Sequence, residues 1–435
     1  MLTSPKTLEK LRRMEATYHG LIYEPFAQVG CTFFETIDHL RAVPGPDADW
    51  KACPSGTTWG QAWGSAWFKA AVIIPDEQAG KPVYVVARTG GVETLFWRQG
   101  QPSGLFNFDP WIKIRGDHRA QLLTAQPEAE RVYDLAFEAY AGHPTEGSQP
   151  FETLQSQNQY PMPFTRRFDR VELCHRHEVV EQFVLDLRAL NQLSSALPAD
   201  SFRKGEVDAA LVRVFELVMQ DPACAPREVW LPLLIEARAV MQPLLAKRNG
   251  DSAPRAGLIG HSHMDTAWHW TMDETIRKCA RTYSNVLRLM EQYPEYRFIQ
   301  SSALHAEWMR LHYPSIFKGI QQRVAEGRWE PNGGGWIEPD VNLAGGEALI
   351  RQFLAGQAFT RTHFNYTSDT FWLPDSFGYS AALPQILRGC GMHFFLTTKL
   401  TWNETNTFPY DTFWWEGIDG SRVFTHFNDI HCAPD

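Results

Sequence analysis

Short apolar runs alternate with helix-like segments over residues 256–400, and this alternation constrains the fold more than any other feature of the sequence. The runs that read as strands lie at 256–263, 297–302, 328–335, 369–375 and 393–400. Repeated βα units with nearly continuous apolar strands predict a parallel sheet that is buried on both faces, either open or closed into a barrel. In both architectures, ligands bind at the carboxyl ends of the strands.

A helix-like segment at 274–293 separates the first two runs. Its apolar side chains recur at helical spacing and form one stripe, made of Ile276, Ala280, Tyr283, Leu287 and Met290. Such a stripe is typical of a helix that packs one face on a sheet.

The chain upstream of this region has two other patterns. From about Cys31 to Glu178, β-prone runs are separated by Gly, Pro and Asp clusters, which predicts an antiparallel β-domain. Within it, 90–104 reads as a hairpin with Gly100 at the turn and with its aromatic residues in the core. Helical periodicity follows between about Val180 and Lys247, and the segment 247–257 has the composition of a linker.

These patterns together predict a multidomain protein. We expect an accessory β-sandwich-like domain at 1–179, a helical connector and linker at 180–254, and the first part of a (β/α) barrel with parallel strands at 255–435. The barrel would be incomplete within this sequence.

Composition and charge exclude several kinds of partner. The net charge of −9 and the pI near 5.9 provide no basic surface for nucleic acid or acidic membranes. No run approaches the ~18 apolar residues of a membrane span, and the N-terminus lacks the apolar core of a signal peptide. Seven scattered cysteines without a CxxC pair argue against a disulfide framework. We therefore expect a soluble protein of the reducing cytoplasm.

Potential metal ligands follow the first predicted strand. Because side chains alternate along a strand, His261, His263 and Asp265 point to one side while the chain stays extended. An isolated HxH pattern more often reflects buried histidines that bond to backbone. The added aspartate and the position at a strand end favour a metal site here.

Asp375 directly follows the apolar run 371–373 and precedes a glycine turn. This placement makes it a candidate metal ligand or nucleophile over the centre of the sheet. The alternative is a cap for a helix at 380–389, since aspartate is a common N-cap residue. Ser380 could provide that cap instead.

Further polar and aromatic residues follow the third and fifth predicted strands. Glu338 and Asp340 add carboxylates beside Trp336, and Lys399 could meet an anionic group. Aromatic faces stack on sugar rings, and a pair of carboxylic groups is the usual means of cleaving a glycosidic bond. The sequence therefore predicts an acidic, aromatic-walled carbohydrate site, with Asp340 among the substrate-binding residues.

Several long motifs resemble the zinc-dependent α-mannosidases of glycoside hydrolase family 38, in particular their cytosolic-type branch. The motifs are HSHMDTAW at 261–268, WEPNGGGWIEPDVN at 329–342, FWLPDSFGYSAALPQIL at 371–387, FLTTKLTWNETN at 395–406 and FWWEGIDGSRV at 413–423. Upstream, the segments 62–75 and 242–250 resemble the accessory β-domain and connecting helices of that branch.

The resemblance implies a role for each matched residue. His263 and Asp265 fall on the zinc ligands, and Asp375 falls on the nucleophile that also reaches the metal. Trp268 falls on the ring beneath the mannose, Lys399 on a basic position near the nucleophile, and His261 on no ligand. The implied activity is hydrolysis of terminal α-mannosides of oligosaccharides, with retained configuration and with zinc (Zn2+) as cofactor.

Members of the family continue beyond the position of Asp435, and the resemblance places their last zinc-binding histidine and their usual acid in that continuation. We therefore expect these 435 residues alone to bind zinc weakly and to show little activity. A complementing chain or a homo-oligomer are possible partners. His431 is the tail residue considered as a replacement for the missing ligand.

Two other readings stay open. A metal-dependent amidohydrolase would use His261 and His263 as joint ligands, with further Lys or His ligands on later strands. A noncatalytic sugar-binding protein would keep Trp268 and the acidic pocket without turnover. Hydrolysis of a chromogenic α-mannoside separates the enzyme from the binding protein.

Overall fold

The computed structural model describes residues 5–107, 118–128, 130–143, 164–219, 221–401 and 405–428. In this part of the chain, an antiparallel β region comes first, a group of helices follows, and parallel strands alternate with helices thereafter. The predicted order of structural classes is therefore confirmed.

The antiparallel region is built from two sheets and one short pair of strands. The larger sheet has the order β3 (Lys51–Cys53), β2 (Cys31–Thr36), β5 (Ser65–Ile73), β10 (Val132–Tyr140), β7 (Glu93–Arg98) and β8 (Gln101–Asn107). The second has the order β1 (Tyr23–Val29), β12 (Arg170–Arg176), β6 (Val83–Arg88) and β9 (Ala120–Thr124). The short pair is β4 (Thr58–Trp59) with β11 (Arg166–Arg167).

Strands β7 and β8 form the predicted hairpin. Gln99 and Gly100 take the two turn positions with φ of 49° and 69°, a conformation that suits a tight two-residue hairpin turn. Phe96 is buried between the two sheets, while its neighbour Trp97 is buried on the opposite face against the helices of the C-terminal region. Both faces of β7 are thus covered, and the aromatic residues of the hairpin lie in cores as predicted.

The helical group consists of α2 (Glu178–Ala196), α3 (Phe202–Leu217) and α4 (Arg227–Leu245). An additional helix, α1 (Pro5–His19), precedes β1 and buries Leu11 and Tyr18 in the same core as Phe183 of α2. The first residues of the chain therefore pack with the helical group, although they lie before the β strands in the sequence.

The C-terminal region alternates strands and helices as predicted. Its elements are β13 (Gly260–His261), α5 (Met272–Gln292), β14 (Phe298–Ile299), α6 (Ala303–His312), α7 (Pro314–Ala325), β15 (Trp329–Glu330), α8 (Gly346–Phe364), β16 (Thr370–Trp372), α9 (Leu383–Gly389), β17 (Phe394–Thr397), β18 (Thr412–Glu416) and β19 (Arg422–Phe427).

These strands form two sheets. One contains β13, β14 and β15 in parallel, and the other contains β16, β17 and β19 in parallel with β18 antiparallel at its edge. Each predicted strand contains an observed one, but the observed strands are shorter. The parallel βα architecture is confirmed, whereas closure into a barrel stays a prediction.

Buried charges join α5 to the antiparallel region. Glu274 is fully buried and accepts hydrogen bonds from Arg277 and Arg281 of the same helix. Arg281 also lies 2.7 Å from Glu93 on β7, and Arg277 donates to Ser65 on β5 at 2.5 Å. Burial disfavours the carboxylate, but Arg281 and Arg277 outweigh this effect and lower the pKa of Glu274. We call these five residues the interdomain ion network.

Glu274→Gln should destabilise the protein strongly, because it leaves two buried guanidinium groups without their shared carboxylate. We expect a loss of about 3–5 kcal/mol in the free energy of unfolding, measured by denaturant titration. The matched control is Glu347→Gln, which breaks the exposed pair with Arg351 and should cost at most about 1 kcal/mol. Equal, small losses in both variants would contradict the assigned role of the network.

Candidate functional site

One imidazole lies between two sets of carboxylates at the strand ends. His263 follows β13 by two residues and keeps 31% of its side-chain surface exposed. Its Nε2 lies 3.5 Å from Oδ1 of Asp265 and 3.8 Å from Oδ2 of Asp375. Its Nδ1 lies 3.2 Å from Oε2 of Glu338. The two ring nitrogens therefore face different carboxylates.

Two overlapping groups in the described residues have the donor atoms and spacing of a metal site. His263, Asp265 and Asp375 form one group, and His261, His263 and Glu338 form the other. Within each group, the potential ligand atoms lie within 4.8 Å of one another. The structure thus brings together the three residues that the sequence analysis proposed as ligands.

The start of α5 holds the loop that carries His263 and Asp265. The hydroxyl of Thr275 donates to the carbonyl of Thr266 at 2.7 Å, and Nε1 of Trp270 donates to the same hydroxyl at 3.0 Å. Thr271 caps the helix by accepting the backbone N–H of Glu274. A rigid helix end therefore fixes the loop just after its ligand residues.

Asp375 follows β16 in a segment pinned to the neighbouring strand. The N–H of Leu373 donates to the carbonyl of Leu396 at 2.8 Å, and the hydroxyl of Thr398 donates to the carbonyl of Pro374 at 2.6 Å. Lys399 is 6% exposed at its side chain and places Nζ 2.8 Å from Oδ1 of Asp375. A buried cation therefore orients one carboxylate oxygen, while the other faces His263.

The alternative role of Asp375 as a helix cap is wrong. Helix α9 begins at Leu383, after the predicted start at Ser380, and no side chain caps its first turn. The hydroxyl of Ser380 accepts the N–H of Ala382 at 3.3 Å within the preceding turn. Asp375 is free of a capping function and stays available to the site.

The carboxylates around His263 favour a positive charge on its imidazole ring. Burial opposes protonation of this imidazole, but hydrogen bonds and charge from Asp265 and Glu338 outweigh burial and raise the pKa of His263 to about 10. A proton on Nε2 and a metal ion on Nε2 are alternatives, since a metal ligand must give up its proton. The surrounding carboxylates stabilise either cation.

His261 has a different environment from His263. Its Nδ1 lies 3.1 Å from the carbonyl of Ile299, and its ring packs 5.0 Å from that of Trp372. Burial lowers the pKa of His261, which favours the neutral ring. Its buried Nε2 has no hydrogen-bond partner among the described residues. His261 also belongs to the second potential metal group, together with His263 and Glu338.

Glu338 is the residue whose contribution the sequence analysis did not assign. The hydroxyl of Ser301 donates to its Oε1 at 2.6 Å, and its Oε2 faces Nδ1 of His263. A carboxylate on the remote nitrogen of a ligating histidine fixes the ring and strengthens its donor nitrogen. In the sequence, Glu338 was visible only as a carboxylate after the third predicted strand. Nothing in its spacing points to His263.

The other predicted residues occupy more open positions. Trp268 is 50% exposed and meets Trp270 edge to face at 5.5 Å. Asp340 is exposed, and its Oδ1 accepts the backbone N–H groups of Asn342 and Leu343 at 2.8 and 2.9 Å. Trp336, expected in the pocket wall, packs against Phe359 in a core. His431 lies outside the described residues.

Imidazole and carboxylate groups lie together at the ends of parallel strands that alternate with helices. The C-terminal region is therefore of the α/β class and has a potential metal-binding site. Residues 254–435 match the family model of the glycosyl hydrolases family 38 N-terminal domain, and residues 28–160 match that of the alpha-mannosidase jelly roll domain. These matches show that the chain carries the N-terminal domain of glycosyl hydrolases family 38 behind an alpha-mannosidase jelly roll domain. The resemblance drawn from the motifs is confirmed.

Curated relatives carry alpha-mannosidase names. Human alpha-mannosidase 2C1 is 35% identical over 91% of this chain and 36% of its own length. Alpha-mannosidase G of Dictyostelium discoideum is 32% identical over 90% of this chain and 34% of its own length. The chain thus spans about a third of the length of these relatives.

Two further observations complete the comparison. A solved alpha-mannosidase from Enterococcus faecalis V583 aligns with a TM-score of 0.33 and 21% identity, over 39% of this chain and 19% of that chain. In the described part of the chain, none of the helices combines the length and apolar character needed to cross a lipid bilayer.

Zinc retention after dialysis of the full-length protein should separate the two potential metal groups. His263→Ala should lose the metal, His261→Ala should keep it, and Glu338→Gln should weaken binding about 10- to 100-fold, as expected for a residue that orients a ligand. Zinc content measured by atomic absorption checks all three variants. Loss of zinc from His261→Ala as complete as that from His263→Ala would place the metal in the second group.

Proposed function

We propose that this chain carries the zinc-binding and mannose-binding part of a retaining α-mannosidase that hydrolyses terminal α-mannosides of oligosaccharides. The observation that carries the proposal is the convergence of His263, Asp265 and Asp375 within 4.8 Å at the ends of parallel strands. The family 38 match over residues 254–435 supports it. We also propose that the chain divides into three parts, at residues 1–179, 180–254 and 255–435. The last part would be the first portion of a (β/α) barrel.

The donor set fits zinc. Zinc accepts imidazole nitrogen and carboxylate oxygen, and catalytic zinc sites use three protein ligands with one position left for substrate. One nitrogen from His263 and two carboxylates from Asp265 and Asp375 match that composition. When bound, zinc would supply Lewis-acid polarisation of substrate hydroxyl groups.

Asp375 is the proposed nucleophile. Its Oδ1 is held by Lys399 at 2.8 Å, which leaves the carboxylate in one orientation for attack on the anomeric carbon. In a retaining mechanism this attack breaks the glycosidic bond, and the leaving oxygen takes a proton from a second carboxylic acid. The same carboxylate, now acting as base, takes a proton from water, which attacks the anomeric carbon of the mannosyl ester, frees Asp375 and gives mannose of the original configuration.

We assign the acid to neither of the two other carboxylates at these strand ends. Glu338 is engaged by Ser301 and faces His263, whereas Asp340 accepts two backbone N–H groups. Both oxygens of Glu338 therefore face protein atoms, whereas Asp340 uses only Oδ1 for the two backbone groups. Asp340 stays a candidate for binding substrate hydroxyls through its exposed oxygen, and Trp268 is the candidate ring beneath the mannose.

A cytoplasmic location and an oligomeric or complementing partner are part of the proposal. The described cysteines, among them the neighbouring pair Cys31 and Cys53, are all free thiols. Thiols of this kind persist in a reducing compartment, because oxidising compartments favour disulfides.

Covalent trapping tests the assignment of the nucleophile. In the full-length protein, a 5-fluoro mannosyl fluoride should label Asp375, and peptide mapping by mass spectrometry should place the adduct within residues 372–380. Asp375→Asn should abolish labelling and lower hydrolysis of an aryl α-mannoside by at least about 10³-fold.

Asp340→Asn is the matched control and should still be labelled at Asp375. An adduct on another residue, or a product of inverted configuration, would contradict the mechanism. Binding of mannose without any hydrolysis would favour the noncatalytic sugar-binding protein.

A further inference from the structure

Trp63 in the jelly roll domain has an unusual backbone conformation. Its φ is 65°, in the left-handed region that bulky side chains rarely adopt. The other described non-glycine residues with positive φ are Gln99, Glu130 and Asn365. Gln99 lies in the tight hairpin turn and Asn365 caps the end of α8, so local turn geometry accounts for the positive φ of these two residues. For an aromatic residue such a conformation points to a role of its side chain.

Backbone hydrogen bonds hold Trp63 in this conformation. Its N–H donates to the carbonyl of Gly142 at 2.8 Å, and the N–H of Ala141 donates to the carbonyl of Gly64 at 2.9 Å. The turn is thereby pinned beside the end of β10. The result is that the ring of Trp63 lies flat against that of His143, with centroids 4.5 Å apart and planes inclined by 17°.

The aromatic contacts continue from the jelly roll domain to the candidate site. The centroid of His143 lies 6.5 Å from that of Trp270, and Trp270 lies 5.5 Å from Trp268. Trp268 follows the proposed ligands His263 and Asp265 in the same loop. We call Trp63, His143, Trp270 and Trp268 the aromatic row.

The row differs from the aromatic packing of the cores. Core tryptophans such as Trp67 are fully buried, whereas Trp268 is 50% exposed and the other three members keep part of their surface open. Its members are also held in place: Trp270 by Thr275 and by Lys278, whose Nζ lies 4.7 Å from its ring, and His143 by the hydroxyl of Tyr140 at 2.8 Å. Burial, reinforced by Lys278, lowers the pKa of His143 and so favours an uncharged ring.

A fixed, partly exposed series of uncharged rings suits a ligand made of linked rings. Sugar rings present apolar faces that stack on tryptophan, and their hydroxyls bond to the polar edges of tryptophan and histidine. A terminal mannose alone would reach only the end of the row at Trp268. The remaining members would have ligand contacts only if the substrate extends beyond its terminal residue.

We propose that the aromatic row binds the sugar units that follow the terminal mannose, so that Trp63 of the jelly roll domain contributes to a preference for oligosaccharides over simple mannosides. This proposal rests on the proposed function, because the terminal unit is taken to lie at Trp268. It gives the accessory domain a direct part in substrate selection.

Trp63→Gly in the full-length protein is the test variant, since glycine removes the ring and adopts positive φ without strain. The KM for an α-linked mannotriose should rise about 5- to 10-fold, the size of one aromatic stacking contact, while kcat and KM for an aryl α-mannoside stay unchanged. Trp63→Phe should recover part of the loss. Trp50→Ala is the matched control, because Trp50 is another partly buried tryptophan of this domain and contacts Phe34 and Lys69. This variant should leave kcat and KM unchanged for both substrates.

Two outcomes would overturn the proposal. Equal losses on both substrates in Trp63→Gly would show that Trp63 supports the structure only, and no loss on either would show that the ring does not contact the ligand. Absence of aryl α-mannoside hydrolysis in the unmodified full-length protein would instead overturn the proposed function. Calorimetric binding of mannotriose and mannose to the same variants then tests the row, with a 5- to 10-fold selective loss for mannotriose expected.

Discussion

The imidazole of His263 is the element on which the rest of the site depends, because its two nitrogens face two different sets of carboxylates. Nε2 faces Asp265 and Asp375, whereas Nδ1 faces Glu338. A carboxylate at Nδ1 fixes the tautomer that leaves Nε2 free to bind a cation. The strand ends help to explain why these residues meet, since β13 and β16 end shortly before His263 and Asp375, and the segment that follows β15 carries Glu338.

The site is also supported from the jelly roll domain. The loop that carries His263 and Asp265 rests on the first turn of α5, and the same helix is tied to β5 and β7 through the interdomain ion network. Charged groups buried in this way are costly unless they stay paired, so the network strongly disfavours displacement of the helix. The aromatic row crosses the same boundary. One contact region therefore both positions the loop and extends the proposed binding surface.

Part of this arrangement could be read from the sequence, because it depends on local patterns. Strand ends followed by His263, Asp265 and Asp375 were visible as apolar runs that stop at polar residues. The role of Glu338 was not visible, since it depends on the approach of two distant strand ends. Trp63 gave no signal either, because a positive φ at tryptophan has no pattern in sequence. Closure of a sheet depends on pairing between distant strands, so the periodicity of each strand did not determine it.

Anomalous diffraction at the zinc absorption edge, from crystals soaked in a zinc salt, tests the central claim most directly. The account predicts one strong peak about 2.0–2.2 Å from Nε2 of His263 and from oxygens of Asp265 and Asp375, with Glu338 on the opposite nitrogen. A peak on the Nδ1 side, bound by His261 and Glu338, would contradict the account. So would a zinc ion bound elsewhere with His263 left unliganded.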